Sequence, residues 1–167
     1  MGYTPARPLL HFTRAVFARS GWSVQEIWWN ATGGLDGGQL ADWVMSEARR
    51  AVDVEKADRI VLVGKSLGTF ATGLAAERSL PGIWLTPLLT QARVVDALSR
   101  AGAPTLLIGG SADPAWDGDL ASKLGHPYLE IANADHGMEI EDDPAESVKI
   151  LGQVTATVSD FVAGLEQ

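Results

Sequence analysis

The sequence of 167 residues contains no cysteine. Disulfide bonds, thiolate nucleophiles and cysteine-bound zinc are therefore excluded. A chain without cysteine fits the reducing cytoplasm, which is the location we predict. Long apolar runs are also lacking, because no stretch approaches the roughly 20 residues that a membrane-spanning helix needs. The first residues show no charged segment followed by an apolar one, so we expect no signal peptide.

Basic residues are fewer than acidic residues. The 13 lysines and arginines face 21 aspartates and glutamates, which gives a formal net charge of −8 and an isoelectric point near 4.7. Nucleic-acid binding needs clustered basic residues to neutralise phosphates, so we predict no nucleic-acid partner. With 46% hydrophobic and 20% charged residues, the composition is that of an ordinary globular protein, and the length predicts a single domain over residues 1–167.

Apolar spacing predicts helices and strands in alternation. Helices are expected at residues 8–19, 40–52, 67–78, 91–100 and 145–165. Strands are expected at residues 22–29, 59–64, 82–86, 104–109 and 127–132. The runs Ile60-Val61-Leu62-Val63 and Thr105-Leu106-Leu107-Ile108 indicate strands buried on both faces. We therefore predict an α/β fold with a mostly parallel sheet of about five strands and helices on both faces.

The segment Gly64-Lys65-Ser66-Leu67-Gly68 matches the pattern G-x-S-x-G, directly after a predicted buried strand and before a helix. In that context the serine stands on a sharp turn, and the two glycines are expected to leave room for strand and helix. The N–H of Leu67 lies at a helix start, where it is suited to bind an oxyanion. An N-capping role for Ser66 and a phosphate-binding loop are weaker alternatives, and such a loop needs a leading glycine that the strand before Gly64, which includes Ile60, does not contain.

The turn at 64–68, called the elbow below, would present Ser66 as a nucleophile. Two further residues follow it in the order that a hydrolase with such a serine requires. Asp113 comes after the strand at 104–109, and His136 comes after the strand at 127–132. Parallel strands end at the same edge of a sheet, which is where α/β proteins place their sites. We predict that His136 takes the proton of Ser66 and that Asp113 orients the imidazole.

Other acids and histidines are less suitable. Asp117 and Asp119 are weaker candidates for the orienting acid, and the side chain of Asp135 is expected to point away from its neighbour His136. The remaining histidines do not follow a predicted strand and are expected to be structural; they are His11 and His126.

The elbow, the Gly-Ser-Ala-Asp segment at 110–113 and the Ala-Asp-His-Gly segment at 134–137 resemble the α/β-hydrolase family, in particular its small dienelactone-hydrolase-like members without a lid. The resemblance covers nearly the whole chain. It implies a serine esterase activity on a small acyl substrate, with no cofactor and no metal. It does not identify the substrate, and homo-oligomerisation stays open.

The N-terminal part departs from this family. The resemblance implies a strand and an oxyanion loop before the first helix, and here too few residues precede that helix to form both. Tyr3 is at the position from which the second oxyanion donor would come. Either the natural start lies upstream of Met1, or the strands at 23–29 and 59–64 have become direct neighbours. Losing one oxyanion donor typically lowers turnover by about 10²–10³-fold.

Several residues are expected around the site. Trp29 and Trp116 are candidates for an apolar acyl pocket. Lys65 lines the pocket, pairs with a local carboxylate, or points away from the pocket, and the sequence leaves the three open. The acidic residues at 139–143 either surround the pocket or form a solvated loop in which Asp143 caps the last helix. A serine hydrolase is the leading hypothesis. The second is a non-catalytic binding or scaffold protein, and the third is a nucleotide-binding protein that holds phosphate at Lys65.

Overall fold

The computed structural model describes residues 4–28 and 36–166. Within them the chain alternates between helices and strands. The elements are α1 (Pro8–Arg19), α2 (Gly37–Val54), β1 (Leu62–Lys65), a 3₁₀ helix (Ser66–Ala71), α3 (Thr72–Arg78), β2 (Gly82–Leu85), α4 (Ala92–Arg100), β3 (Thr105–Gly110), α5 (Gly118–Lys123), β4 (Tyr128–Ile131) and α6 (Pro144–Leu165). None of these helices has the length and apolarity needed to cross a membrane.

The strands form one parallel sheet in the order β1-β2-β3-β4. Each strand is joined to its neighbour by a connection that contains a helix, as parallel pairing requires. The register aligns Lys65 with Leu85, and Leu85 with Ile108. All four strands therefore end at one edge, and the loops that follow them meet there. The predicted parallel α/β fold is confirmed.

Helices cover both faces of the sheet because the strands are apolar on both sides. On β3, Leu106 and Ile108 pack in the same cluster as α1 and α6, whereas Leu107 packs in the cluster that contains α2, α3 and α4. Helix α6 presents one buried stripe, formed by Ile150, Val154, Val158 and Val162. Burial of such side chains contributes about 1.5–3 kcal/mol each, so the two helical layers are the main source of stability.

The strand predicted at 22–29 is wrong for residues 22–28, which form no strand; Trp29 lies outside the described residues. Trp22 instead packs edge-on against Phe17, with ring centroids 5.8 Å apart, and the Arg59 guanidinium lies 5.0 Å from the Trp22 ring. The segment also does not pair with β1, whose only partner among the described strands is β2. Within the part of the chain that the structure describes, these β-forming residues have no neighbouring strand to bond with, and the sheet there has four strands instead of about five.

The second helix begins earlier than predicted, at Gly37. Asp36 and Gln39 explain the difference because they form a capping box. The Asp36 carboxylate accepts from Gln39 N at 2.8 Å, and Asp36 N donates to Gln39 Oε1 at 3.0 Å. This reciprocal cap outweighs the low helix propensity of the two glycines at 37–38.

Candidate active site

Strand β1 delivers Ser66 to the C-terminal edge of the sheet in a strained conformation. Ser66 has φ +53°, in the left-handed region that non-glycine residues rarely adopt. A Cβ at Gly64 would lie only 2.5 Å from the carbonyl oxygen of Gly68, so glycine is needed at 64 for the turn to close. At Gly68 the expectation was wrong, because no described atom lies within 4 Å of a Cβ built there. Only the first glycine makes room for the turn.

The elbow is held from below by Thr69, which is fully buried. Its hydroxyl donates to the carbonyl oxygen of Ser66 at 2.5 Å and accepts from Leu88 N at 3.3 Å. These bonds join the 3₁₀ helix to the loop after β2. The sequence analysis did not identify Thr69, because its contact with Leu88 is set by the tertiary structure.

Asp113 lies in the loop after β3, as predicted, and its side chain is 1% exposed. The loop is closed by backbone bonds from Asp113 N to Gly110 O and from Trp116 N to Asp113 O, both 3.0 Å long. One carboxylate oxygen, Oδ1, accepts from Ala115 N at 2.8 Å. The other, Oδ2, is thereby directed at the third residue of the site.

His136 lies in the loop after β4, and this loop is bonded to the loop that carries Asp113. Ala112 N donates to Ala134 O at 3.0 Å, and Asn133 N donates to the Ser111 hydroxyl at 2.9 Å. A Cβ at Gly110 would lie 2.1 Å from Ala134 O, so glycine permits this close approach. The two loops therefore form one unit.

Asp135 has a structural role in the same loop. Its Oδ1 accepts from Gly137 N at 2.7 Å and from Glu139 N at 3.0 Å. Met138 follows in the left-handed region, with φ +62°. The Asp135 carboxylate therefore accepts from the backbone of its own turn, and Asp113 is the acid that contacts the His136 ring, as expected from the sequence.

The three predicted residues meet in a continuous chain of contacts. His136 Nδ1 lies 2.7 Å from Asp113 Oδ2, and His136 Nε2 lies 2.8 Å from Ser66 Oγ. A carboxylate only accepts hydrogen bonds, so Nδ1 carries the ring proton and Nε2 is left to accept from the Ser66 hydroxyl. The His136 side chain is 39% exposed while Asp113 is buried, so the ring stands between the protein interior and solvent.

Leu67 follows Ser66 at the start of the 3₁₀ helix. Its N–H precedes the first hydrogen bond of that helix and has no intrahelical acceptor. The N–H is therefore suitably placed to bind negative charge beside Ser66 Oγ. The second predicted oxyanion donor, Tyr3, lies outside the described residues, as does the predicted pocket residue Trp29.

Lys65 is almost fully enclosed, which leaves little of its surface for a pocket wall, and its role in a substrate pocket stays a prediction. The residue is 7% exposed, and its Nζ donates to the His136 carbonyl oxygen at 2.8 Å and to Thr86 Oγ1 at 3.0 Å. Burial lowers the pKa of Lys65 from 10.5 to about 8, while the nearby Asp113 and Asp135 carboxylates raise it. An ammonium so enclosed has little surface to offer a phosphate group.

Trp116 is 8% exposed and belongs to the core. Its ring packs over Gly109, where a Cβ would lie 2.1 Å from the ring, and its Nε1 donates to Glu130 at 2.6 Å. The ring thus supports the β3 end that carries Asp113. Its role in an acyl pocket stays a prediction, and its burial leaves little ring surface for a ligand.

The other acids and histidines considered from the sequence form hydrogen bonds elsewhere in the structure. Asp117 caps α5 by accepting from Leu120 N at 2.9 Å, and His126 Nε2 lies 2.8 Å from Leu98 O. Asp143 caps α6 by accepting from Glu146 N at 2.9 Å, as predicted for a solvated acidic loop. No group of three or more potential metal ligands occurs in the described part of the chain.

The fold matches that of known hydrolases. The chain is similar to Est1E from Butyrivibrio proteoclasticus, whose structure has ferulic acid bound (TM-score 0.71, 16% identity, 97% of this chain and 84% of that one). It is also similar to an alpha-beta serine hydrolase homologue from Coxiella burnetii (TM-score 0.63, 14% identity, 92% and 77%). A third structure is XC6422 from Xanthomonas campestris, a serine hydrolase without a lid (TM-score 0.62, 15% identity, 98% and 76%).

The chain has the α/β-hydrolase fold. At identities of 14–16% the likeness establishes the fold alone. No family model matches the sequence, and no curated protein is significantly similar to it. The chemistry of this chain therefore depends on its own residues.

Proposed function

We propose that this chain is a serine hydrolase that cleaves a small carboxylic ester or thioester through an acyl-enzyme on Ser66. The observation that carries the proposal is the unbroken chain of contacts from Asp113 through His136 to Ser66, at 2.7 and 2.8 Å. Ser66 Oγ is bonded to a base and not to a helix N-terminus, which is what a nucleophile needs and an N-cap does not. Two of the similar structures are a serine hydrolase homologue and a serine hydrolase without a lid, which supports the proposed reaction class.

The proposed reaction has two half-reactions. His136 Nε2 takes the hydroxyl proton of Ser66 while Oγ forms a bond to the acyl carbon. The carbonyl oxygen becomes an oxyanion, for which we propose the N–H of Leu67 as the first donor and Tyr3 as the second. Collapse breaks the bond to the leaving alkoxide or thiolate, which receives the proton from the His136 imidazolium.

Water completes the cycle. His136 removes a proton from water, and the hydroxide attacks the acyl carbon of the ester on Ser66. The second oxyanion collapses, the bond to Oγ breaks, and the proton on His136 returns to Ser66. The buried carboxylate of Asp113 keeps the ring in the required tautomer and stabilises the imidazolium throughout.

The test combines a fluorophosphonate probe with p-nitrophenyl acetate. The wild-type chain is expected to be labelled at Ser66 and to hydrolyse the ester, and Ser66→Ala is expected to lose both activities. Ser99→Ala is the matched control, since Ser99 is an exposed residue on α4 whose hydroxyl donates to Asp96 O. Circular dichroism verifies that each variant is folded.

A folded wild-type chain that is neither labelled nor active would contradict the proposal. That outcome would favour the alternative, a binding or scaffold protein that retains the α/β-hydrolase fold. Labelling that persists in Ser66→Ala would place the reactive group elsewhere. The nucleotide-binding alternative is disfavoured by the buried position of Lys65.

A further inference from the structure

We propose that Lys65 is the positioning residue of the site: its buried ammonium holds the main-chain carbonyl of His136 and thereby sets the imidazole between Ser66 and Asp113. This inference rests on the proposed serine hydrolase function. It assigns a task to a charged group that the two half-reactions do not use.

The burial of Lys65 calls for an explanation. A lysine side chain normally keeps its ammonium in water, and withdrawing the charge is unfavourable unless polar groups replace the water. Here the replacements are the His136 carbonyl oxygen at 2.8 Å and the Thr86 hydroxyl at 3.0 Å. Both acceptors belong to loops at the C-terminal edge of the sheet, directly beneath the reacting groups.

The chain path makes this contact a direct connection between nucleophile and base. Lys65 is bonded covalently to Ser66, and its side chain reaches the backbone of His136, 71 residues away. The side chains of Ser66 and His136 are joined above by the 2.8 Å contact between Oγ and Nε2. The two residues are therefore tied at both backbone and side chain, which restricts the distance over which the proton is transferred.

Lys65 also lies on the appropriate face of β1 for this task. Val61 and Val63 pack in the cluster that contains α1 and α6, and strand alternation places Lys65 on that same face. From there the side chain passes the end of β2 to reach the loop after β4. A shorter or apolar side chain at 65 leaves the His136 carbonyl without this donor.

Thr86 supports the arrangement through an unusual backbone. It is fully buried, and its φ of +44° is rare for a β-branched residue. Thr86 N donates to Ile108 O at 2.6 Å, which holds the strained turn at the end of β2. Strain of this kind persists at sites where the surrounding structure enforces it. Here the turn presents Oγ1 to Lys65.

The electrostatic setting agrees with a positioning role. The ammonium lies close enough to the carboxylates of Asp113 and Asp135 for both to raise the pKa of Lys65 against the larger effect of burial. The ammonium is thus bonded to the backbone of His136 and lies near the carboxylate that accepts from His136 Nδ1.

The test uses Lys65→Met, which preserves length and bulk but removes the donors and the charge. The substitution leaves the His136 carbonyl and the Thr86 hydroxyl without this donor, and removal of one partner from a buried set of polar groups is destabilising, so the melting temperature is expected to fall. The kcat for p-nitrophenyl acetate is also expected to fall, about 10–100-fold, because a displacement near 1 Å has effects of that size. KM is expected to change less than about threefold, since the residue contacts no substrate.

A second readout is independent of turnover. The low-field proton NMR signal of His136 Nδ1–H is expected in the wild type and in Lys149→Met, a surface control whose side chain is 73% exposed. In Lys65→Met this signal is expected to broaden or disappear. Failure of the proposed function would appear as a wild type that is not labelled at Ser66, while the NMR comparison would still report on positioning.

Unchanged kcat together with an unchanged Nδ1–H signal in folded Lys65→Met would overturn the inference. If that variant does not fold, Thr86→Val serves instead, because it keeps the β-branched shape and removes one acceptor of Lys65 Nζ, so that the ammonium is held less firmly against the His136 carbonyl. We expect an approximately tenfold loss of kcat there. A Thr86→Val protein with wild-type kcat and NMR signal would equally reject the proposal.

Discussion

The close approach of the two loops at Gly110 yields the sharpest prediction about the site. Gly110→Ala places a methyl group 2.1 Å from Ala134 O and 2.6 Å from its carbonyl carbon. Both atoms are backbone, so no side-chain rotation relieves the contact. The loop from β4 must move away from β3, and it carries His136 two residues further on.

The size of the effect follows from the geometry. Ordinary contact begins at 3.4 Å, so the Ala134 backbone has to move by about 1 Å. A displacement of that size at reacting groups lowers turnover about 10²-fold. The strain itself is expected to reduce the free energy of unfolding by about 1–3 kcal/mol. Catalysis is thus expected to suffer more than stability.

The assay compares fluorophosphonate labelling rate and urea unfolding for the wild type, Gly110→Ala and Gly102→Ala. Gly102 is the matched control because no described atom lies within 4 Å of a Cβ built there. Its substitution is expected to change unfolding by less than about 0.5 kcal/mol. Wild-type labelling and stability in Gly110→Ala would refute the reasoning, since they would mean that the two loops separate without effect.

Three further changes test other parts of the structure. Asp113→Asn is expected to lower kcat about 10⁴-fold with the fold intact, because the amide favours the wrong imidazole tautomer. Asp143→Ala removes the cap bond to Glu146 N at 2.9 Å and is expected to reduce the free energy of unfolding by about 0.5–2 kcal/mol in urea. The lowered pKa of Lys65, about 8 against 10.5, predicts that wild-type stability rises with pH relative to Lys65→Met.

The direction of the pH dependence for Lys65 follows from proton binding. Between about pH 8 and 10 the lysine keeps a proton in the unfolded state that it releases in the folded state. The free energy of unfolding therefore rises by up to about 1.4 kcal/mol per pH unit. Urea unfolding of both proteins at several pH values measures the difference. If the free energy of unfolding of the wild type, relative to that of Lys65→Met, is constant or falls as the pH rises, the result would contradict a lowered pKa of Lys65. Near-wild-type turnover in Asp113→Asn, or unchanged unfolding in Asp143→Ala, would likewise contradict the roles given to those carboxylates.

Much of the site was predictable because its signals are local. Gly64 and Ser66 follow an apolar run, and Asp113 and His136 follow two more such runs. In a parallel sheet this order alone brings the three side chains to one edge. The strand at 22–29 was not predictable in the same way. Its β-branched and aromatic residues express a propensity, and a strand also requires a partner, which sequence alone does not reveal.

Residues that act through distant contacts gave no sequence signal. Thr69 and Thr86 are ordinary residues in their local segments, and the Gly-Ser-Ala-Asp segment that contains Gly110 does not reveal its contact with the loop after β4. Thr69 is important because its hydroxyl contacts Leu88 N, and Thr86 because its backbone is in the left-handed region. Gly110 is important because the backbone of Ala134 lies too close for a Cβ. Each depends on how two loops meet after the sheet has formed.

By itself, therefore, the sequence determined the α/β architecture, the elbow and the order of the three candidate residues, since hydrophobic periodicity and turn chemistry act over a few residues. Only the tertiary structure decided that the side chains of Ser66, His136 and Asp113 lie within hydrogen-bonding distance and that the ammonium of Lys65 lies beneath them. The physical reason is that hydrogen bonds require agreement within tenths of an ångström between segments tens of residues apart. That agreement comes from packing of the whole sheet and its loops.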